Sequence, residues 1–324
     1  MAAVQRAQRP IRSSNQNKNE AAAKRAYYEG KALGDRGRWA DAARCYRAAT
    51  GFVPDHAMSW LRLADAQRHA GLLDEAVVAA QKAVSIDASL TPGYFIVMVC
   101  RMEQHRFAEL VQWLELPAIR ANLDHAGLAE LGYSLFKVER FHDAVQALFE
   151  ALARKLDFMP AYVTLGNVFD RLKLPEAAIE SFRTAAVLKP EDAQVWSGLV
   201  HHSQYACRWE NLEQDLQSLA GAMPVSAEPI NPFALVTMPS TPAEQLANFR
   251  KYVAYRFGKR TAWAPVAPRA ADEPLRIAYL SCDYYSHATA SLVAELFEKH
   301  DRSRVEVLLY SYSPVDVSPV RQRL

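Results

Sequence analysis

Long apolar runs are absent from this chain of 324 residues. No segment approaches the roughly 18 consecutive apolar residues that a membrane-spanning helix needs, and the N-terminus has no apolar stretch of the kind that directs secretion. An excess of either charge is missing too: 38 basic residues face 36 acidic ones, a net charge of +2. Bulk electrostatics therefore favours neither nucleic acid nor an anionic membrane as partner. Cysteine is sparse. Cys45, Cys100, Cys207 and Cys282 lie far apart and form no CxxC pair, which argues against a zinc site or a disulfide framework and fits a reducing cytosol. A soluble, cytoplasmic protein is expected.

What the chain has instead is length, a core and a repeat. At 324 residues, 50% of them hydrophobic and 23% charged, it is long enough for two units with real interiors. Residues 1–22, with Arg6, Arg9, Arg12 and Lys18 against one acid, Glu20, read as a disordered basic leader. Stepping by 34 from Ala23 then gives Ala57, Thr91, His125, Met159 and Ala193. Position 20 of these units is Ala42, Ala76, Leu110, Ala144, Ala178 and Leu212, and position 24 is Tyr46, Ala80, Leu114, Leu148, Phe182 and Leu216. Position 4 includes Trp60, Tyr94, Tyr162 and Trp196.

A small residue at position 20 lets two antiparallel helices approach closely, and the 34-residue period resembles the tetratricopeptide pattern. About six units are expected over residues 23–220. The third is degenerate because Pro117 falls in its second helix and should break it. The sixth is degenerate because Cys207 and Trp209 stand where turn residues belong. Stacked units of this kind form a right-handed superhelix whose concave face binds extended peptides or partner helices. Position 6 of that face reads Tyr28, Arg62, Ile96, Glu130, Thr164 and Gly198; position 9 reads Lys31, Asp65, Val99, Tyr133, Asn167 and His201. The set is mixed in charge and names no partner. The adjacent pair His201 and His202 reads as surface or groove residues, since neighbours on a helix point apart.

Residues 221–273 are Pro-rich and contain one helix signal, Thr241-Pro-Ala-Glu244, with a Thr cap, Pro at the first helical position and an acid at the third. The period then changes. Leu275–Ser281 reads as a strand buried on both faces, Ala290 to Lys299 as a helix, Arg304 to Tyr312 as a second strand, and Ser318-Pro319 as the cap of a further helix. That order, over 274–324, opens a doubly wound parallel sheet. Two parallel strands cannot bury their own faces, so a fragment of a larger domain is expected.

The stretch from Pro274 to Leu324, with YACRWENLEQDLQSL (205–219) and NPFALVTM (231–238) ahead of it, resembles glycosyltransferase family 41, the tetratricopeptide-containing protein O-GlcNAc transferases and their SPINDLY-like and bacterial relatives. The fold this implies is an all-α tetratricopeptide superhelix followed by the beginning of an α/β Rossmann-like lobe of GT-B type. The resemblance implies an inverting, metal-independent transfer of a sugar, GlcNAc above all, from a nucleotide donor to Ser or Thr of acceptor proteins held in the repeat groove. UDP-GlcNAc would be a co-substrate of the parent enzyme, with no cofactor bound by this chain, and residues 1–324 alone are expected to be inactive. Self-association through the repeats is a further expectation.

Within the resemblance, His287 in the loop Asp283–Thr289 aligns with the family's His-Pro-Thr motif, whose His serves as base or acceptor-positioning group; here Ala288 stands in place of Pro. An imidazole there could take the acceptor hydroxyl's proton. Read without the resemblance, the same His caps a helix or bonds a backbone carbonyl. Asp283 and Thr289 could orient His287, or cap the following helix, which is the expected job of Thr289. The family's asparagine ladder along the groove is reduced to Asn167. The alternative reading of the whole chain is a non-catalytic scaffold carrying a catalytic remnant.

Overall fold

The computed structural model describes residues 14–258 and 273–324. The chain divides into two compact units, Met1–Lys259 and Arg260–Leu324. Unit one is all helix. Its repeats are the pairs α1 (Ser14–Gly34) and α2 (Trp39–Phe52), α3 (Ala57–His69) and α4 (Leu73–Ile86), α5 (Thr91–Glu103) and α6 (Phe107–Leu114). A single turn, α7 (Pro117–Arg120), follows α6. Then come α8 (His125–Lys137) and α9 (Phe141–Arg154), α10 (Met159–Arg171) and α11 (Pro175–Leu188), α12 (Ala193–Tyr205) and α13 (Leu212–Ala222), and finally α14 (Pro232–Val236) and α15 (Pro242–Phe257).

Three periodic devices make these pairs. The first is close approach. Ala42, Ala76, Leu110, Ala144 and Ala178 are fully buried where the two helices of a repeat touch, and glycine at position 8 admits the bulky position 24. A Cβ on Gly132 would sit 2.6 Å from Leu148, and one on Gly166 would sit 2.5 Å from the Phe182 ring. Gly198 presses the other edge of the same ring at 2.6 Å, so Phe182 is held between two glycines.

The second device ends the first helix of each of the six 34-residue repeats. Residues 37, 71, 105, 139, 173 and 207 all occupy the left-handed region: Gly37 and Gly71, then His105, Glu139, Lys173 and Cys207 with φ between 54° and 63°. Each N–H reaches back three residues and the next N–H reaches back five, as in Gly71 to Arg68 and Leu72 to Gln67, or Cys207 to Gln204 and Arg208 to Ser203. These paired bonds satisfy the orphan carbonyls of a helix end. Cys207, expected to mark a degenerate turn, adopts the same turn as the glycines.

The third device joins neighbouring repeats. The aromatic at position 4 donates to the carbonyl at position 32 of the preceding unit: Trp60 Nε1 to Pro54 at 2.7 Å, Tyr94 Oη to Ala88 at 3.0 Å, Trp196 Nε1 to Pro190 at 2.8 Å. Surface ion pairs follow the same step, Asp74 with Arg106 at 2.8 Å and Glu176 with Arg208 at 3.0 Å; being exposed, they add little stability.

The expectation for the N-terminal residues is corrected. Helix α1 starts at Ser14, so residues 14–22 are not part of an unstructured leader; Glu20, Ala21, Ala22 and Lys24 are strong helix formers that extend the first repeat backwards. Residues 1–13 and 259–272, to which the leader and the Pro-rich connection extend, lie outside the described residues. His201 and His202, expected at the surface or in the groove, both line the groove cavity, with His202 buried, stacked 5.0 Å from the Phe182 ring and its Nδ1 3.6 Å from Asp170. Pro117 acts as expected: α6 stops at Leu114 and the chain restarts as α7. The capping box at Thr241 and Glu244 also forms, opening α15.

Unit two holds β1 (Leu275–Ser281), α16 (Ala288–Lys299), β2 (Val305–Ser311) and α17 (Pro319–Arg323). β1 and β2 pair in parallel from Leu275 opposite Val305 to Ser281 opposite Ser311. Its small core is Tyr279, Tyr284 and Phe297, with ring centroids 4.8 and 5.9 Å from Phe297, closed by Ala290 and Ala294. The expected burial of β1 on both faces is corrected. Ile277 and Tyr279 are half-buried while Arg276, Ala278 and Leu280 are exposed, because α16 packs on one side of the sheet and nothing described covers the other. Among the described residues no helix is long and apolar enough to cross a membrane, and no cluster of His, Cys, Asp and Glu could hold a metal ion.

Candidate functional site

Ligands of open parallel sheets bind at the carboxyl ends of the strands, and in unit two both strand-end loops run there and bond to each other. Tyr284 N–H donates to Ser313 Oγ at 2.8 Å, and Ser286 N–H donates to Asp316 at 2.8 Å. Asp316 also accepts the Ser318 hydroxyl, and these bonds hold its carboxyl below the usual range. Arg321, on α17, clamps both loops at once by donating to the Tyr284 carbonyl and to Ser311 Oγ, each at 2.8 Å. Arg323 pairs with Glu298 through two bonds of 2.7 Å. The loop from Asp283 to His287 is therefore fixed rather than free.

His287 stands at the N-cap of α16, and its Nδ1 accepts the Thr289 N–H at 3.1 Å. The cap is thus His287 itself. Thr289, expected to cap, contributes only its backbone donor, because the helix begins two residues earlier than Ala290, at Ala288. With Nδ1 occupied, the ring proton lies on Nε2, so the neutral imidazole presents a donor. The His287 ring also lies 5.3 Å from that of Tyr285. Asp283 does not orient His287: its N–H bonds Ser281 Oγ at 3.0 Å and its carboxylate contacts Cys282 at 3.3 Å, raising the thiol's pKa.

Unit one carries a separate cavity of about 690 Å³. Positions 6 and 9 of the last three repeats meet there: Glu130 and Tyr133 from α8, Thr164 and Asn167 from α10, Gly198 and His201 from α12. Asn167 makes no hydrogen bond to any described residue. Glu130 is half-buried with Oε2 shut off from water and without a hydrogen-bond partner, and burial pushes its carboxyl above the usual range. The sequence reading passed over Glu130 as one of a mixed set. The signal was present: one turn away on the same helix stand Ala126, Gly127, Tyr133 and Ser134, none of them a cation. By contrast Asp65, at position 9 of the second repeat, is paired with Arg68 at 3.2 Å. His202, which also lines the cavity, is held below its ordinary pKa mainly by burial.

A fold of helix pairs closed by one turn geometry defines the class: unit one is a tetratricopeptide-repeat superhelix. The tetratricopeptide signature matches residues 27–90 and 130–193. A solved tetratricopeptide repeat protein from Parabacteroides merdae superposes with a TM-score of 0.57 at 13% identity, covering 74% of this chain and 95% of that one. The particular kind follows from the rest of the chain. Glycosyl transferase family 41 matches residues 253–324, so the repeats lead into a segment similar to that family. It is 31% identical over 141 residues to the probable UDP-N-acetylglucosamine–peptide N-acetylglucosaminyltransferase SEC of Arabidopsis thaliana. That match covers 39% of this chain and 14% of the relative.

Proposed function

We propose that residues 1–324 are the acceptor-guiding repeats and first catalytic segment of a protein O-glycosyltransferase. The reaction moves a sugar, N-acetylglucosamine first of all, from a uridine diphosphate donor to Ser or Thr hydroxyls of polypeptides, with inversion and without metal. The observation that carries this reading is the passage of one chain from tetratricopeptide repeats into a segment similar to family 41. The activity named for the plant relative suggests the donor and the acceptor class. The bare faces of unit two fit this reading: Leu280 is 67% and Leu292 81% exposed, as suits a sheet that further strands and helices complete. We place the donor-binding groups in those further elements of the parent protein, so residues 1–324 alone bind polypeptide without transferring sugar.

In the transfer, the acceptor oxygen attacks the anomeric carbon, the bond to the diphosphate breaks with its electron pair going to the diphosphate oxygen, and the hydroxyl proton passes to the departing diphosphate. In the tautomer that caps α16, His287 contributes an Nε2–H that orients an oxygen and takes no proton. Service as a base would need Nδ1–H, and that would end the cap, at a cost of about 1 kcal/mol. The test is His287→Asn in the full-length protein, since Asn caps as well as His does while losing the Nε2–H. Transfer from UDP-N-acetylglucosamine to Ser peptides, followed by mass spectrometry, should fall by about 100-fold with unchanged thermal stability. Undiminished transfer would leave His287 as a cap alone. No transfer by the intact full-length protein would make the chain a scaffold.

A further inference from the structure

We propose that the cavity between α8, α10 and α12 takes the side chain of a lysine or arginine from an extended polypeptide, with Glu130 as its counter-charge. This rests on the reading above that the repeats carry acceptor polypeptide, and adds what such a polypeptide presents.

The geometry comes first. At about 690 Å³ the cavity has room for a long side chain and the adjoining main chain. Its walls supply both kinds of contact. Tyr133, Phe158 and Val163 offer apolar and aromatic surface, against which the methylene stem of Lys or Arg packs while its head stays polar. Asn167, one repeat further on, has an uncommitted amide suited to a backbone N–H and C=O.

The chemistry decides the sign of the charge. A carboxylate oxygen shut away from water without a partner costs free energy unless a donor reaches it. Among the described residues no cation pairs with Glu130. The cavity's own lysine, Lys189, is engaged with Asp192 at 3.2 Å. Glu228, a further acid on the wall, accepts from the Tyr255 hydroxyl. The remaining unmatched charge is negative and sits at Glu130. Neither an acidic nor a purely apolar side chain would restore what burial takes from that oxygen; a cationic donor would.

The proposal is tested on the purified 324-residue chain with fluorescein-labelled octapeptides that are identical except for one central residue: Lys, Arg, norleucine or Glu. Anisotropy titration should show the Lys and Arg peptides binding about tenfold tighter than the norleucine peptide, with the Glu peptide weakest. Glu130→Gln should abolish that preference while raising the melting temperature at neutral pH, since the buried charge is gone. Equal binding of all four peptides, or a preference that survives Glu130→Gln, overturns the basic anchor and leaves the groove intact as a polypeptide site. If no peptide binds, both readings fall together.

Discussion

The second repeat and the fifth reach the same backbone by different means. In the second, the left-handed residue that ends the first helix is Gly71, at φ 79°, and the groove acid Asp65 is neutralised by Arg68 beside it. In the fifth the left-handed residue is Lys173, at φ 61°. Glycine appears instead at position 8, where Gly166 gives up its side chain to Phe182. The neighbouring groove acid Glu130 is left unmatched. One repeat puts its glycine where the backbone is difficult, the other where the packing is tight. The later repeats thus hold non-glycine left-handed turns and, where the cavity opens, an acid with no cation beside it, while the second repeat pairs its groove acid within itself.

The largest effect should come from the packing glycine. Gly166→Ala pushes a methyl into Phe182, which cannot retreat because Gly198 holds its other edge. A loss of about 2–3 kcal/mol in urea unfolding is expected. Gly51→Ala, with nothing within 4 Å, should cost nothing. Next come the turns: Gly71→Ala should lose about 1 kcal/mol, and Lys173→Gly should gain roughly half that or more. Equal responses at the two turns would erase the contrast.

The smallest effect is one of pH. Burial lowers the His202 pKa in the folded state, so between its ordinary value of 6.5 and that lower one the unfolded chain binds the extra proton. Stability therefore rises with pH across that window, and it declines as pH falls below about 6.5. His202→Gln should flatten that part of a melting-temperature profile taken from pH 5 to 8.

The repeats were legible because their information is local and recurs. Small residues at position 20, aromatics at position 4 and Pro117 each act through neighbours a fixed number of residues away, and the structure uses each as the pattern requires. The turn at position 15 was only half legible. Gly37 and Gly71 announce it, but His105, Glu139, Lys173 and Cys207 are held left-handed by the helix on either side rather than by their own preference. In unit two the order of strands and helices could be read, but the exposure of β1 could not, since periodicity reports what a strand is built to bury and not what covers it. His287 was found, but its tautomer depends on a helix boundary two residues from the expected place. Glu130 escaped because an unpaired acid is visible only once every possible partner has been located in space.

The buried core of unit one is not a single mass. One cluster runs unbroken from Ala42 to Val168, a second gathers around Phe182 and Leu199, and a third around Ile230 and Leu219. Ala129, Phe182 and Ala234, one from each neighbourhood, all face the cavity. Tyr162 packs against the first and second clusters and Trp196 against the second and third, so in a stack held together by neighbour-to-neighbour contacts an aromatic bridges each seam. A polypeptide lying in the cavity would span all three clusters and act as a splint alongside those bridges.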